Sequence, residues 1–166
     1  FTAIVDFAHT PYALNAALNT ARGMTTGRVI AVFGSAGLRD RQKRRMMAEE
    51  SARLANITIL TAEDPRTESL DAILAEMAAA AAAQGGVEGE TFYRVVDRGE
   101  AIRLALRLAR PGDLVMACGK GHEQSMCFGQ TEYAWDDRTA MRAALAGLLE
   151  IHGPAMPYLP TQDTPA

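Results

Sequence analysis

At 166 residues, 48% hydrophobic and 22% charged, the chain has the size and composition of one globular domain, which excludes general disorder and collagen-like repeats. Its formal net charge of −3 supplies no global basic field, and no apolar run approaches the roughly 18 residues of a membrane span, so neither nucleic acid nor membrane is an expected partner. Cys118 and Cys127 are the only cysteines and form no C-x-x-C or Cys/His set, so no metal site is expected and a reducing, cytoplasmic compartment fits best.

The chain opens on FTAIVDF, a strand pattern already under way with no initiator methionine and no signal-peptide pattern, and it reads as a piece of a longer polypeptide. After the strand pattern Thr2 to Asp6, helical periodicity runs from Pro11 to Arg22, with Thr10 suited to cap it and Pro11 to occupy its first turn. A β-branched run, Val29 to Phe33, leads to a helix from Lys43 to Leu54. Ile57 to Leu60 leads in turn to one from Ser69 to Ala83, whose alanine run is simply a strong helix former. Beyond the flexible connection Gln84 to Glu90 come a strand pattern over Phe92 to Val96 and a helix over Arg98 to Ala109. The turn Pro111-Gly112-Asp113 then feeds Leu114 to Cys118. Trp135 reads as a strand end, Asp137 as the cap of a last helix from Arg138 to Leu149, and Met46, Met47, Met77 and Met116 as core filler. From His152 onward, proline-rich sequence without periodicity predicts a mobile tail over 151–166 behind a folded domain over 1–150. Strand and helix alternating this often predict an α/β fold: a Rossmann-like open, mostly parallel sheet with helices on both faces, in a single domain.

In such sheets ligands bind beyond the carboxyl ends of the strands, and four polar loops fall there. Asp6 and His9 sit on the first strand-to-helix turn, where both could also be ordinary turn residues. Gly34 to Arg45 is glycine-rich and then basic, with cations at five of the seven positions from Arg39 to Arg45. It lacks the spacing of a P-loop and of G-x-G-x-x-G, since Ala36 and Arg39 replace the second and third glycines of the latter. Cations at a helix start oppose the macrodipole, which points either to an anionic partner or to a solvated basic face. Glu63-Asp64-Pro65-Arg66 combines carboxylates for an ammonium with a guanidinium for a carboxylate, which suits a zwitterion; alone it could be a turn with a local ion pair. Gly119-Lys120-Gly121-His122-Glu123 pairs close backbone approach with another acceptor for an amine.

In order and spacing, VDFAHTP, FGSAGLRDRQKR, EDPRTE, DRGEAI, ACGKGHE and WDDR resemble the motifs of the Mur ligase C-terminal domain, over about Thr2 to Leu149. The branch most similar is the UDP-N-acetylmuramoyl-tripeptide synthetases, and GKGHE together with D-x-P-R is far more specific than either motif alone. The resemblance implies an ATP-dependent amide ligase of peptidoglycan synthesis. The carboxylate of a UDP-muramoyl-dipeptide would become an acyl phosphate, attacked by a diamino acid. Motif matching places Arg39, Glu63, Asp64, Arg66, Gly119 and Glu123 in the amino-acid pocket. Asp6 and Arg28 would fall beside the ATP ribose, with His9 close by. ATP, Mg²⁺ and the catalytic groups are implied mainly for a central domain, which like the UDP-sugar domain is not in this sequence. The chain alone is therefore expected to be inactive, and no catalytic residue is assigned in it.

Departures from the family pattern bear on the substrate. The usual diaminopimelate motif is D-N-P-R, whereas Asp64 here replaces a neutral amide. A second acid beside a substrate carboxylate is unfavourable, which makes lysine or ornithine credible beside diaminopimelate, while Arg66 argues for the latter. Leu38 and Gln42 depart within the basic loop, as in a divergent paralogue. Alternatives are another ligase of the superfamily, of cyanophycin or folylpolyglutamate type, or a nucleotide-binding module that performs no ligation.

Overall fold

The structure, a computed structural model, describes residues 1–163. In chain order it contains β1 (Thr2–Asp6), α1 (Pro11–Met24), β2 (Val29–Phe33), α2 (Arg41–Leu54), β3 (Ile57–Leu60) and α3 (Leu70–Ala83). These are followed by β4 (Phe92–Arg94), α4 (Arg98–Leu108), β5 (Leu114–Cys118), β6 (Ser125–Phe128), β7 (Thr131–Ala134), α5 (Asp137–Leu148) and a 3₁₀ turn (Pro160–Asp163). Five strands form one sheet in the order β1-β5-β2-β3-β4, every pair parallel, with β5 joining β1 and β2 through Met116, opposite both Ile4 and Ala31.

Every residue of β2, β3 and β5 is buried, as the apolar runs require when both faces of a parallel sheet are covered. The alternation of side chains divides these strands between two cores. Val29, Ala31, Phe33, Leu114 and Met116 pack with α1, α2 and α3 on one face. Ile30, Val32, Ile59, Val115 and Ala117 pack with α4 and α5 on the other. The α/β prediction with helices on both faces therefore holds.

Local differences from the predicted elements have physical causes. The α2 helix begins at Arg41 because Asp40 caps it, accepting from the Gln42 N–H at 2.9 Å. Asp136, not Asp137, caps α5; its Oδ1 accepts from the Arg138 N–H at 2.8 Å, while Asp137 is drawn wholly into the interior. The β4 ladder ends at Arg94, although the Val95 N–H still reaches the Leu60 carbonyl at 2.9 Å. Met46 is exposed, since the core face of α2 at that turn is taken by its neighbour Met47. The antiparallel hairpin β6–β7 lies outside the main sheet and was not predicted; its alternation is too short and too polar to stand out. Beyond 150, where a mobile tail is expected, Leu159 is fully buried and the Thr161 hydroxyl donates to Asp97 at 2.7 Å.

Because all five strands run the same way, their carboxyl ends share one edge. The loops after β1, β2, β3 and β5 meet there.

Candidate functional site

Those loops enclose a crevice of about 380 Å³, lined by Phe7 and His9 from the first, Ala36, Arg39, Asp40 and Lys43 from the second, Glu63 and Asp64 from the third, and Gly119 and Glu123 from the fourth. Its size falls within the range of small-molecule sites, roughly 300–1,000 Å³. A cleft of about 460 Å³ between α3, the hairpin and the last turn, near Phe128 and Tyr133, is larger but brings together no comparable charged groups.

The loops are joined to one another. The Gly37 N–H donates to the Asp64 carbonyl at 2.9 Å, and Arg66 Nη1 donates to the Gly37 carbonyl at 3.0 Å. A Cβ at Gly37 would lie 1.9 Å from the Pro65 carbonyl oxygen, so this glycine serves loop-to-loop contact, not the approach of a ligand. The hairpin braces the third loop from outside: Arg66 N–H donates to Cys127 O at 3.1 Å, Gly129 N–H to Arg66 O at 2.8 Å, and Cys127 N–H to Asp64 Oδ1 at 2.8 Å. These bonds hold Asp64 and Arg66 in left-handed backbone conformations, with φ of 42° and 53°.

Deeper still, Arg98 is fully buried and ties two strand ends together, donating to the carbonyls of Ala62 at 3.0 Å and Cys118 at 2.8 Å. Its charge is met by Asp137, which also accepts from Trp135 Nε1 at 2.8 Å. Ala62 and Cys118 immediately precede Glu63 and Gly119, so Arg98 sets the spacing of two pocket loops.

Glu63 is 5% exposed and its Oε2 has no hydrogen-bond partner. Burial pushes its pKa up to about 7, against the opposing pull of Arg98, Lys43 and Lys120 and with the help of neighbouring Asp64. Gly119, at φ 107°, leaves space for that carboxylate; a Cβ there would sit 2.1 Å from Oε2. Lys120 is buried beneath the crevice, its Nζ 3.0 Å from Asp64 Oδ2 and 2.7 Å from Glu123 Oε2.

Of the residues singled out in the sequence, His9, Arg39, Glu63, Asp64, Gly119 and Glu123 are brought together in the crevice wall. Arg66 stands beside it, with Nη1 spent on Gly37 and the rest of its guanidinium without a hydrogen-bond partner among the described residues. Asp6, at the end of β1, turns back to accept from the Ala8 N–H at 2.7 Å. Arg28 is not brought to the site. It precedes β2 at the opposite, amino edge, bonded to Asp113 Oδ2 at 2.7 Å and to the Leu108 carbonyl.

The basic run also resolves differently from its bare reading. Arg44 is fully buried against Glu68 and Glu76, Arg41 pairs with Glu76 and Arg45 with Glu49, while Arg39 and Lys43 reach the crevice. Three of the five cations are thus neutralised within the protein. Sequence reasoning missed Lys43, Asp40 and Phe7 in the wall, and the parts played by Lys120 and Arg98. Both of these lie in quoted motifs, and an unusually flanked lysine between two glycines was the available signal for the former.

The family "Mur ligase, glutamate ligase domain" matches residues 1–121. The "UDP-N-acetylmuramyl-tripeptide synthetase" of Roseiflexus sp. (strain RS-1) is 50% identical over 148 residues, covering 89% of this chain and 29% of that protein. The "UDP-N-acetylmuramoyl-L-alanyl-D-glutamate--2,6-diaminopimelate ligase" of Geobacter metallireducens (strain ATCC 53774 / DSM 7210 / GS-15) is 40% identical over 158 residues, 89% of this chain and 31% of the relative. A solved diaminopimelate ligase of the same description superposes with a TM-score of 0.79 at 35% identity, covering 90% of this chain and 30% of that one. The chain thus spans about three-tenths of the length of these relatives. Sequence and fold agree across nearly all of it, and the chain belongs to the Mur ligase family, carrying its C-terminal, glutamate ligase domain.

Proposed function

We propose that this domain binds the incoming amino acid in an ATP-dependent ligase that adds a diamino acid to a UDP-muramoyl-dipeptide in cytoplasmic peptidoglycan synthesis. The observation that carries the reading is the convergence of Arg39, Glu63, Asp64, Gly119 and Glu123, from three separate loops, on one crevice lined by both acids and bases. Such a wall holds a zwitterion: Glu63 and the free oxygen of Glu123 accept ammonium protons, while Arg39, Lys43 and the unspent edge of Arg66 receive carboxylates. Held this way, an amine would be fixed in position for attack on an acyl phosphate, so the domain's contribution is orientation. Its loss of protons is eased where a carboxylate such as Glu63 is itself close to titrating.

ATP and Mg²⁺ are assigned mainly to the parent's central domain. The described residues present no set of three His, Cys, Asp or Glu side chains able to hold a metal ion. Asp6 and His9, at the first loop, are proposed for contact with the nucleotide, and Arg28, paired with Asp113 at the far edge of the sheet, would meet it only from that side. The isolated domain is proposed to be inactive for want of the UDP-sugar and central domains.

The test is ATP-dependent phosphate release by the full-length parent with UDP-muramoyl-dipeptide, offering diaminopimelate, lysine and ornithine separately. Turnover with one of them is the expected result. Folded enzyme silent with all three would reject the reading in favour of another ligase of the superfamily.

A further inference from the structure

The crevice contains more acid than a single substrate ammonium needs, and its acids are not equivalent. Asp64 faces the cavity, yet both of its oxygens are already engaged, Oδ1 by the Cys127 N–H at 2.8 Å and Oδ2 by Lys120 Nζ at 3.0 Å. Glu123 gives one oxygen to the same ammonium at 2.7 Å. Asp40 spends Oδ1 on the cap of α2. Glu63 alone keeps a buried carboxylate oxygen without a partner.

Lys120 reaches this cluster from below. Its side chain is 3% exposed, and the glycines on either side of it take positive φ, 107° and 53°, which lets the turn run under the crevice. Burial works against its ammonium, but the hydrogen bonds to Glu123 and Asp64 outweigh that and raise its pKa, so it stays charged. The resulting cation lies out of reach of solvent ions and compensates two carboxylates that would otherwise face a ligand unscreened. Arg39 and Lys43 line the same crevice and form no ion pair with a carboxylate among the described residues, although Lys43 acts through space on Glu63.

Resting on the ligase reading above, we propose that Lys120 is a specificity-determining residue: by masking Asp64 and half of Glu123 it lets the crevice accept a diamino acid that carries a second carboxylate. The charge penalty that Asp64 imposes in the bare sequence is cancelled inside the protein. The substrate class this favours has one carboxylate more than lysine or ornithine, and the masked wall and the two free cations accommodate it together. Lys120 touches no reacting atom; it acts through Asp64 and Glu123.

The experiment uses the full-length parent enzyme, with the KM for diaminopimelate and the inhibition constant of lysine against it as paired readouts. Lys120→Met is expected to raise the diaminopimelate KM about tenfold or more, because it leaves Asp64 charged and unpaired, while the lysine constant moves less than about threefold. Adding Asp64→Asn to that variant removes the exposed charge and is expected to return the diaminopimelate KM to within about threefold of the wild type. A purely structural lysine would weaken both amino acids alike and give no selective recovery in the double variant, and that pattern overturns the proposal. A wild-type enzyme that prefers lysine overturns it too, leaving the ligase reading intact. Silence with every diamino acid overturns the ligase reading itself, and the proposal with it.

Discussion

Arg98 and Asp137 lie 39 residues apart in the chain and meet as a wholly buried pair, Nε to Oδ1 at 2.8 Å and Nη2 to Oδ2 at 2.7 Å. The pair satisfies the guanidinium that also grips the ends of β3 and β5. Removing one partner leaves a buried charge uncompensated, which costs far more than the pair contributes over an apolar substitute. Asp137→Asn is expected to lower the stability of this chain by about 3–5 kcal/mol in urea unfolding. A loss below about 1 kcal/mol would show that Arg98 is held by the two carbonyls alone.

Arg66 is already tied to Gly37 through one nitrogen, and its neighbours Glu63 and Asp64 line the crevice. In the full-length enzyme, Arg66→Ala is expected to raise the amino-acid KM about tenfold or more, with the KM for ATP changed less than about twofold. Equal changes in both would place Arg66 in loop architecture rather than in carboxylate binding.

Glu63 gives the domain a distinctive pH response. Its folded pKa, about 7, lies above the ordinary 4.5, so the folded state retains a proton that the unfolded state has released. Stability on this account falls as pH rises from about 4.5 to about 7 and is constant above that, a loss of roughly 3 kcal/mol at most. Glu63→Gln should therefore gain stability relative to wild type across that window, read as a widening difference in Tm. A difference independent of pH would mean that Glu63 does not titrate there.

Asp113 behaves in the opposite sense. Burial alone would raise its pKa, but the bonds it accepts from the Arg28 side chain and from the N–H groups of Arg28 and Arg110 hold it at about 2. That stabilisation is present above its ordinary 3.8 and is lost as pH falls toward 2. Asp113→Asn is expected to cost about 2 kcal/mol at neutral pH and progressively less in acid, measured by denaturant titration at several pH values. A constant cost down to pH 2 would contradict the pairing with Arg28.

The alternation of β-branched runs with 3.6-residue periodicity made β1, β2, β3 and β5 legible to the residue; in β2, β3 and β5 this is because parallel strands buried on both faces leave little choice of composition, whereas β1 is a half-buried edge strand that the run TAIVD still marks. The hairpin was not legible: Thr131 to Ala134 is mostly exposed, and the contact of β6 with the 64–66 loop is made by residues up to 63 positions apart. Site residues could be recognised as types at strand ends, yet their partners could not. Nothing local to Asp64 announces Lys120, 56 residues on, and nothing local to Arg28 reveals that it stands at the amino edge of the sheet, paired with Asp113. Charge placement of this kind follows from which loops the topology makes neighbours, and strand order is not written in periodicity.

The bracing of the third loop by β6 separates the part of the chain that presents chemistry from the part that aims it. Asp64 and Arg66 hold unfavourable backbone angles while Cys127 and Gly129, which do not line the crevice between the strand ends, are paired with them. A change in the length or register of the hairpin would re-aim both side chains without altering either one. Relatives with identical pocket residues could then differ in the amino acid they select through a pair of strands that never meets it.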